Sequence, residues 1–91
     1  MNPQRSIIIW SKQACPYCLR TKNYLTEKHL NFVSIDVTNH DDLRDVLEMK
    51  YGIRHVPVIE IGLDQPHTYE AVTSIDLADL EKALKRNQVI Q

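Results

Sequence analysis

The stretch Ile7-Ile8-Ile9-Trp10-Ser11-Lys12-Gln13-Ala14-Cys15-Pro16-Tyr17-Cys18 decides how this chain is read. Its first four residues are β-branched or aromatic, the composition of a central strand covered on both faces. Further on, Cys18, Thr21, Leu25 and His29 recur at helical spacing, with Arg20, Asn23 and Glu27 on the opposite, wetter side. That pattern predicts a helix over about 16–29. Pro16 suits the first helical position, where its missing N–H costs nothing. A buried strand therefore runs through a short turn into a helix that begins on two cysteines.

This setting gives the cysteines different characters. Cys15 falls where unpaired backbone N–H groups and the helix dipole favour an anion, which lowers a thiol pKa. Cys18 lies one turn inside, more buried, within reach of a mixed disulfide formed on its neighbour. Cys15 is thus the expected nucleophile and Cys18 the resolving thiol. A zinc half-site would need further ligands at suitable spacing. His29, His40, His55 and His67 are scattered, without an H-x₃₋₅-H pair, and no second CxxC is present. No metal site is expected, and a redox dithiol is favoured over an inert core pair.

Outward from this unit the alternation of strands and helices continues. Val33, Ile35 and Val37 alternate with Ser34 and Asp36 as a half-buried strand does. Leu43, Val46, Leu47 and Tyr51 form a helical stripe behind Asp41 and Asp42, with Gly52 as its stop. Val58 to Ile61 and Thr68 to Val72 read as an antiparallel hairpin turning around Leu63-Asp64-Gln65-Pro66. A last helix is expected over about 75–87, capped by Thr73 or Ser74, with Leu77, Leu80 and Leu84 facing the core. The order is βαβαββα, an α/β chain whose first βαβ unit is parallel and right-handed.

Composition narrows the function. The 91 residues suit one domain, and 11 basic against 12 acidic side chains leave a net charge of −1. Such a balance disfavours a nucleic-acid partner. The longest apolar run, Ile7 to Trp10, is far short of the ~20 residues of a membrane span, and no signal-peptide pattern appears. Two cysteines are too few for a disulfide-knitted secreted scaffold. A soluble, cytoplasmic, monomeric domain covering 1–91 is expected.

The octapeptide Ser11-Lys12-Gln13-Ala14-Cys15-Pro16-Tyr17-Cys18, with His55-Val56-Pro57 downstream, resembles the glutaredoxins over essentially the whole chain. The resemblance implies a thioredoxin-like fold, a four-stranded mixed sheet flanked by three helices. It implies a dithiol–disulfide oxidoreductase acting on protein disulfides or glutathione mixed disulfides. Glutathione would be co-substrate, with no permanently bound cofactor. Pro57 becomes the cis-proline facing the dithiol, with the Val56 backbone open to an extended ligand. Lys12 becomes a cation for the Cys15 thiolate and a glutathione carboxylate, and Tyr17 a wall of the substrate groove. Arg20 and Lys22 stay outside the expected site.

The sequence also departs from that family. Ala71-Val72-Thr73-Ser74-Ile75-Asp76 lacks the glycine pair that often precedes the last helix, so Ser74 and Asp76 are the substitute ligands, or caps alone. His55 replaces the usual threonine and either tunes the thiols or has no role. Val56-Pro57-Val58 is also similar to redoxins that donate electrons to ribonucleotide reductase and are recharged by thioredoxin reductase. A 2Fe–2S carrier is disfavoured by Pro16, which stiffens the loop, and by the competing thiol of Cys18.

Overall fold

The structure, a computed structural model, describes residues 6–63 and 68–90. Its elements are β1 (Ile7–Ser11), α1 (Pro16–Glu27), β2 (Val33–Asp36), α2 (Asp41–Tyr51), β3 (Val58–Gly62), β4 (Tyr69–Val72) and α3 (Leu77–Arg86). The strands form one sheet in the order β2-β1-β3-β4, with β1 parallel to β2 and the other pairings antiparallel. This is the expected four-stranded mixed sheet with three helices.

Alternation along the strands makes two cores. Ile7 and Ile9 of β1 face the side of Ile59, Ile61 and Val72, where Leu25 of α1 and Leu80, Ala83 and Leu84 of α3 pack. Trp10 and Val58 face the other side with Val37 and Leu47 of α2. The sheet is therefore covered by α1 and α3 on one face and α2 on the other. Among the described residues no helix is long and apolar enough to cross a membrane.

Several boundaries differ from the sequence reading. α1 ends at Glu27, not His29. His29 takes a left-handed φ of 59° and donates to the Thr26 carbonyl, while Leu30 donates to Leu25. This crossed pair of bonds closes the helix without glycine. Gln88, at φ 61°, ends α3 the same way, through Gln88 to Lys85 and Val89 to Leu84. α3 starts at Leu77, capped by Asp76 rather than Thr73 or Ser74; the Asp76 carboxylate accepts the Ala78 N–H at 2.9 Å. β2 is an edge strand whose Val33 is 63% exposed, and Val37 is buried just past its end. Val46, placed on the α2 core stripe, is largely exposed. The hairpin is antiparallel, closed by Leu63 donating to the Thr68 carbonyl at 2.8 Å; Asp64, Gln65, Pro66 and His67 lie outside the described residues.

One charge sits in the α2-side core. Glu60, in β3, is 2% exposed and accepts from Trp10 Nε1 at 2.6 Å, Lys50 Nζ at 2.5 Å and the Tyr51 hydroxyl. Burial raises its pKa, but the three donors outweigh burial and hold it below the ordinary 4.5. Burial and the Glu60 charge together push the Tyr51 hydroxyl upward.

A group depressed on folding stabilises the fold above its unfolded pKa, and that contribution is lost as pH falls through the folded value. Glu60→Gln should therefore lower stability at pH 7 by about 1–3 kcal/mol. It should also flatten the loss of stability below about pH 4.5 relative to the unaltered protein. Denaturant melts at stepped pH measure both, and parallel acid slopes would contradict the assignment.

Candidate active site

β1 delivers the chain to the site, and the turn after it is pinned to the neighbouring loop. Gln13 N–H donates to Thr38 Oγ1 at 2.7 Å, Val37 N–H to the Ser11 carbonyl at 2.8 Å, and the Ser11 and Ser34 hydroxyls pair at 3.1 Å. Hydrogen bonds from Thr38 hold the Asp36 carboxyl below its usual range. Ala14 then takes a left-handed φ of 54°, which costs an L-residue about 1–2 kcal/mol. This bend turns the chain so that Cys15 meets the helix as its N-cap.

Cys15 is extended, at φ −113° and ψ 104°, and Pro16 opens α1. The Cys18 N–H donates to Cys15 Sγ at 3.2 Å, the place a serine or aspartate oxygen takes in an ordinary cap. No acidic side chain stands in the first turn of α1 to oppose a thiolate. The two cysteines form a disulfide, with Cα atoms 5.2 Å apart. Cys15 is 9% exposed and Cys18 2%, so an incoming sulfur reaches Cys15 first.

The second wall is the segment before β3. The Val56–Pro57 peptide is cis, as the resemblance implies. Pro57 is buried, while Val56 lies outside the β3 ladder and is half-buried. His55, exposed, puts Nε2 3.1 Å from the Thr73 carbonyl; a carbonyl only accepts, so Nε2 carries the proton. His55 thereby ties this segment to the β4–α3 loop.

That loop holds Ser74 and Asp76, and Asp76 is the N-cap of α3. Ser74 Oγ accepts the Asp76 N–H at 3.0 Å, and Asp76 caps Ala78. Lys12 is exposed just past β1 and makes no ion pair among the described residues. Tyr17, 48% exposed, lies between the cysteines with the Arg20 guanidinium 5.4 Å from its ring centre. Arg20 also donates to the Ile75 carbonyl at 3.3 Å. The sequence reading left Arg20 out, yet it joins Tyr17 to the loop of Ser74 and Asp76. Its place five residues after Cys15 carries no motif, and helical geometry was the one available signal. A cleft of about 400 Å³ opens between α1 and the start of α3, lined by Pro16, Leu19, Arg20, Asn23, Tyr24, Glu27 and Leu77. No cluster of three or more metal-ligating side chains occurs among the described residues.

A cysteine pair at a strand–helix junction, with a cis-proline just before the strand that pairs with β1, marks a thioredoxin-fold thiol–disulfide oxidoreductase. The chain belongs to the glutaredoxin family, whose family model matches residues 7–64. It is 45% identical over 91 residues to the N-acetyl-S-hydroxy-L-cysteine reductase of Bacillus subtilis, covering 100% of this chain and 96% of that protein. To a glutaredoxin of Pseudomonas aeruginosa it is 33% identical over 76 residues, covering 77% and 90% of the two chains. Among solved structures, glutaredoxin 1 of Francisella tularensis, complexed with cacodylate, superposes with a TM-score of 0.64 at 20% identity, over 89% of this chain and 98% of that one. A thioredoxin of Plasmodium falciparum gives 0.66 at 20% identity, over 96% and 74%, which supports the fold.

The capped geometry makes a direct prediction for the reduced protein. Alkylation of Cys15 should follow a pKa below about 7.5, whereas an ordinary thiol follows about 8.5. Cys18 should react later and more slowly. Peptide mass mapping after brief labelling at stepped pH reads both sites, and an unshifted Cys15 would remove the proposed polarisation.

Proposed function

We propose that this chain reduces S–O and S–S bonds of small cysteine derivatives, with Cys15 as nucleophile and Cys18 as resolving thiol. What carries the reading is the helix-capped Cys15–Cys18 pair in a chain alignable end to end with a reductase of N-acetyl-S-hydroxy-L-cysteine. The Cys15 thiolate attacks the sulfur of an R–S–OH group, forms Cys15–S–S–R and releases hydroxide. The Cys18 thiolate then attacks the Cys15 sulfur, closes the Cys15–Cys18 disulfide and releases the R–S⁻ thiolate. A disulfide R–S–S–R follows the same path, with a thiolate as the first leaving group.

The substrate groove is assigned to Lys12, Tyr17, Val56, Pro57, Ser74 and Asp76. Lys12 is a cation with no ion-pair partner among the described residues, and Tyr17 offers an apolar wall. Val56, outside the β-ladder, can pair with an extended peptide, so protein disulfides such as that of ribonucleotide reductase enter as larger substrates. Glutathione restores the dithiol, as the family's usual co-substrate. Thioredoxin reductase is the second reading, favoured by one observation: the Ser74 hydroxyl and the Asp76 carboxylate already accept the Asp76 and Ala78 N–H groups. The dithiol must be kept reduced between turnovers, a requirement that a reducing compartment such as the cytoplasm meets.

The cysteine variants test the order of events. Cys15→Ser should lose reduction of sulfenate and disulfide substrates altogether. Cys18→Ser should stop after the first attack, as a protein one substrate residue heavier by mass spectrometry. Full turnover by Cys15→Ser would overturn the nucleophile. With the unaltered chain, NADPH oxidation should depend on glutathione plus glutathione reductase; turnover on thioredoxin reductase alone would select the second donor.

A further inference from the structure

We infer that Arg20 is the receptor for a substrate carboxylate and makes this chain selective for acidic, amino-acid-derived sulfur compounds. The inference rests on the reading of small cysteine derivatives above and adds the residue that recognises them.

Charge pairing sets Arg20 apart. Arg44 pairs with Asp41, Arg54 with Asp45 and Glu48, and Arg86 with Glu70. Arg20 is the one arginine among the described residues with no carboxylate partner. Its guanidinium is nevertheless held in place. One N–H goes to the Ile75 carbonyl, and the plane lies over the Tyr17 ring, a cation–π contact. A guanidinium has five donors, so most of its fork remains open, and that fork matches a carboxylate bidentately.

Its position suits the reaction. Arg20 is one turn along α1 from Pro16, and both line the same cleft. Helical side chains lean toward the N-terminus, and the stack on Tyr17 shows Arg20 doing so, toward the cysteines. In an N-acylated cysteine the carboxylate is separated from sulfur by two carbons. Cys15 directly precedes Pro16, which lines the cleft, so a substrate sulfur bound at Cys15 would set its carboxylate toward the Pro16 end, the end to which Arg20 leans. At the far end stands Glu27, which favours the opposite polarity, so an anion has one preferred seat.

The test uses the full chain, pre-reduced, in single turnover. Two probes are compared: the symmetric disulfide of N-acetylcysteine and that of its methyl ester, which lacks the charge. Formation of the Cys15–Cys18 disulfide is followed by quenching with alkylating agent and mass spectrometry. The unaltered protein should need about tenfold less acid than ester for half-maximal rate, about 1.4 kcal/mol. Arg20→Met should raise the acid requirement about tenfold and leave the ester unchanged, while Arg20→Lys falls between. Equal losses on both probes would make Arg20 a structural prop of the Ile75 loop and overturn the inference. No preference in the unaltered protein would also overturn it, with the reductase reading intact. Failure of the unaltered dithiol to reduce either probe would sink both.

Discussion

The chemistry of this fold depends on one hydrogen bond, from the Cys18 N–H to Cys15 Sγ at 3.2 Å. A helix leaves its first N–H groups without intrahelical partners, and N-caps usually satisfy one with oxygen. Here a sulfur does it. The same contact that closes the helix end would favour a thiolate on Cys15, the proposed nucleophile, in the reduced protein. Everything upstream serves to keep that sulfur there: a strand anchored in both cores, a left-handed Ala14, a backbone bond from Gln13 to Thr38 and a proline at the first helical position. A cap and a catalytic group are usually separate demands on a sequence, and on the proposed reading Cys15 meets both.

The elements that could be read from sequence are those set by periodicity and by residues with one dominant conformational use. The β1–α1 junction followed from three isoleucines, a tryptophan and Pro16, and the Gly52 stop of α2 followed from its left-handed preference, realised at φ 72°. The stops of α1 and α3 did not, because His29 and Gln88 take the left-handed position that glycine would have announced. Asp76 could not be singled out as the cap of α3, because Thr73, Ser74 and Asp76 are all good caps by residue type and only the backbone path chooses among them. Val33 and Val46 are exposed although their spacing is apolar, since neither an edge strand nor a helix flank is covered merely by being periodic.

Within the site, the split is of the same kind. The dithiol and Pro57 announce themselves by motif. The bonds that assemble the groove do not, because each runs from a side chain to a carbonyl far away in sequence. His55 reaches Thr73 and Arg20 reaches Ile75, so two different walls are fastened to the β4–α3 loop. A carbonyl acceptor has no residue-type signature. Such contacts are invisible until the chain is folded, however plain the motif beside them.

Electrostatics then decides what kind of ligand the groove suits. The best-buried carboxylate, Glu60, lies on the α2 face and is held as an anion by Trp10, Lys50 and Tyr51, so it has no proton to offer near neutral pH. Asp76 is occupied at the N-terminus of α3, and no acid stands in the first turn of α1. The groove is left with two cations free of ion pairs among the described residues, Lys12 and Arg20, and with the positive ends of two helices. On the proposed reading, a Cys15 thiolate at a helix N-terminus, with no acid in the first turn of α1, suits a substrate that brings its own negative charge. The positive helix end that would favour a Cys15 thiolate would also attract an anionic substrate.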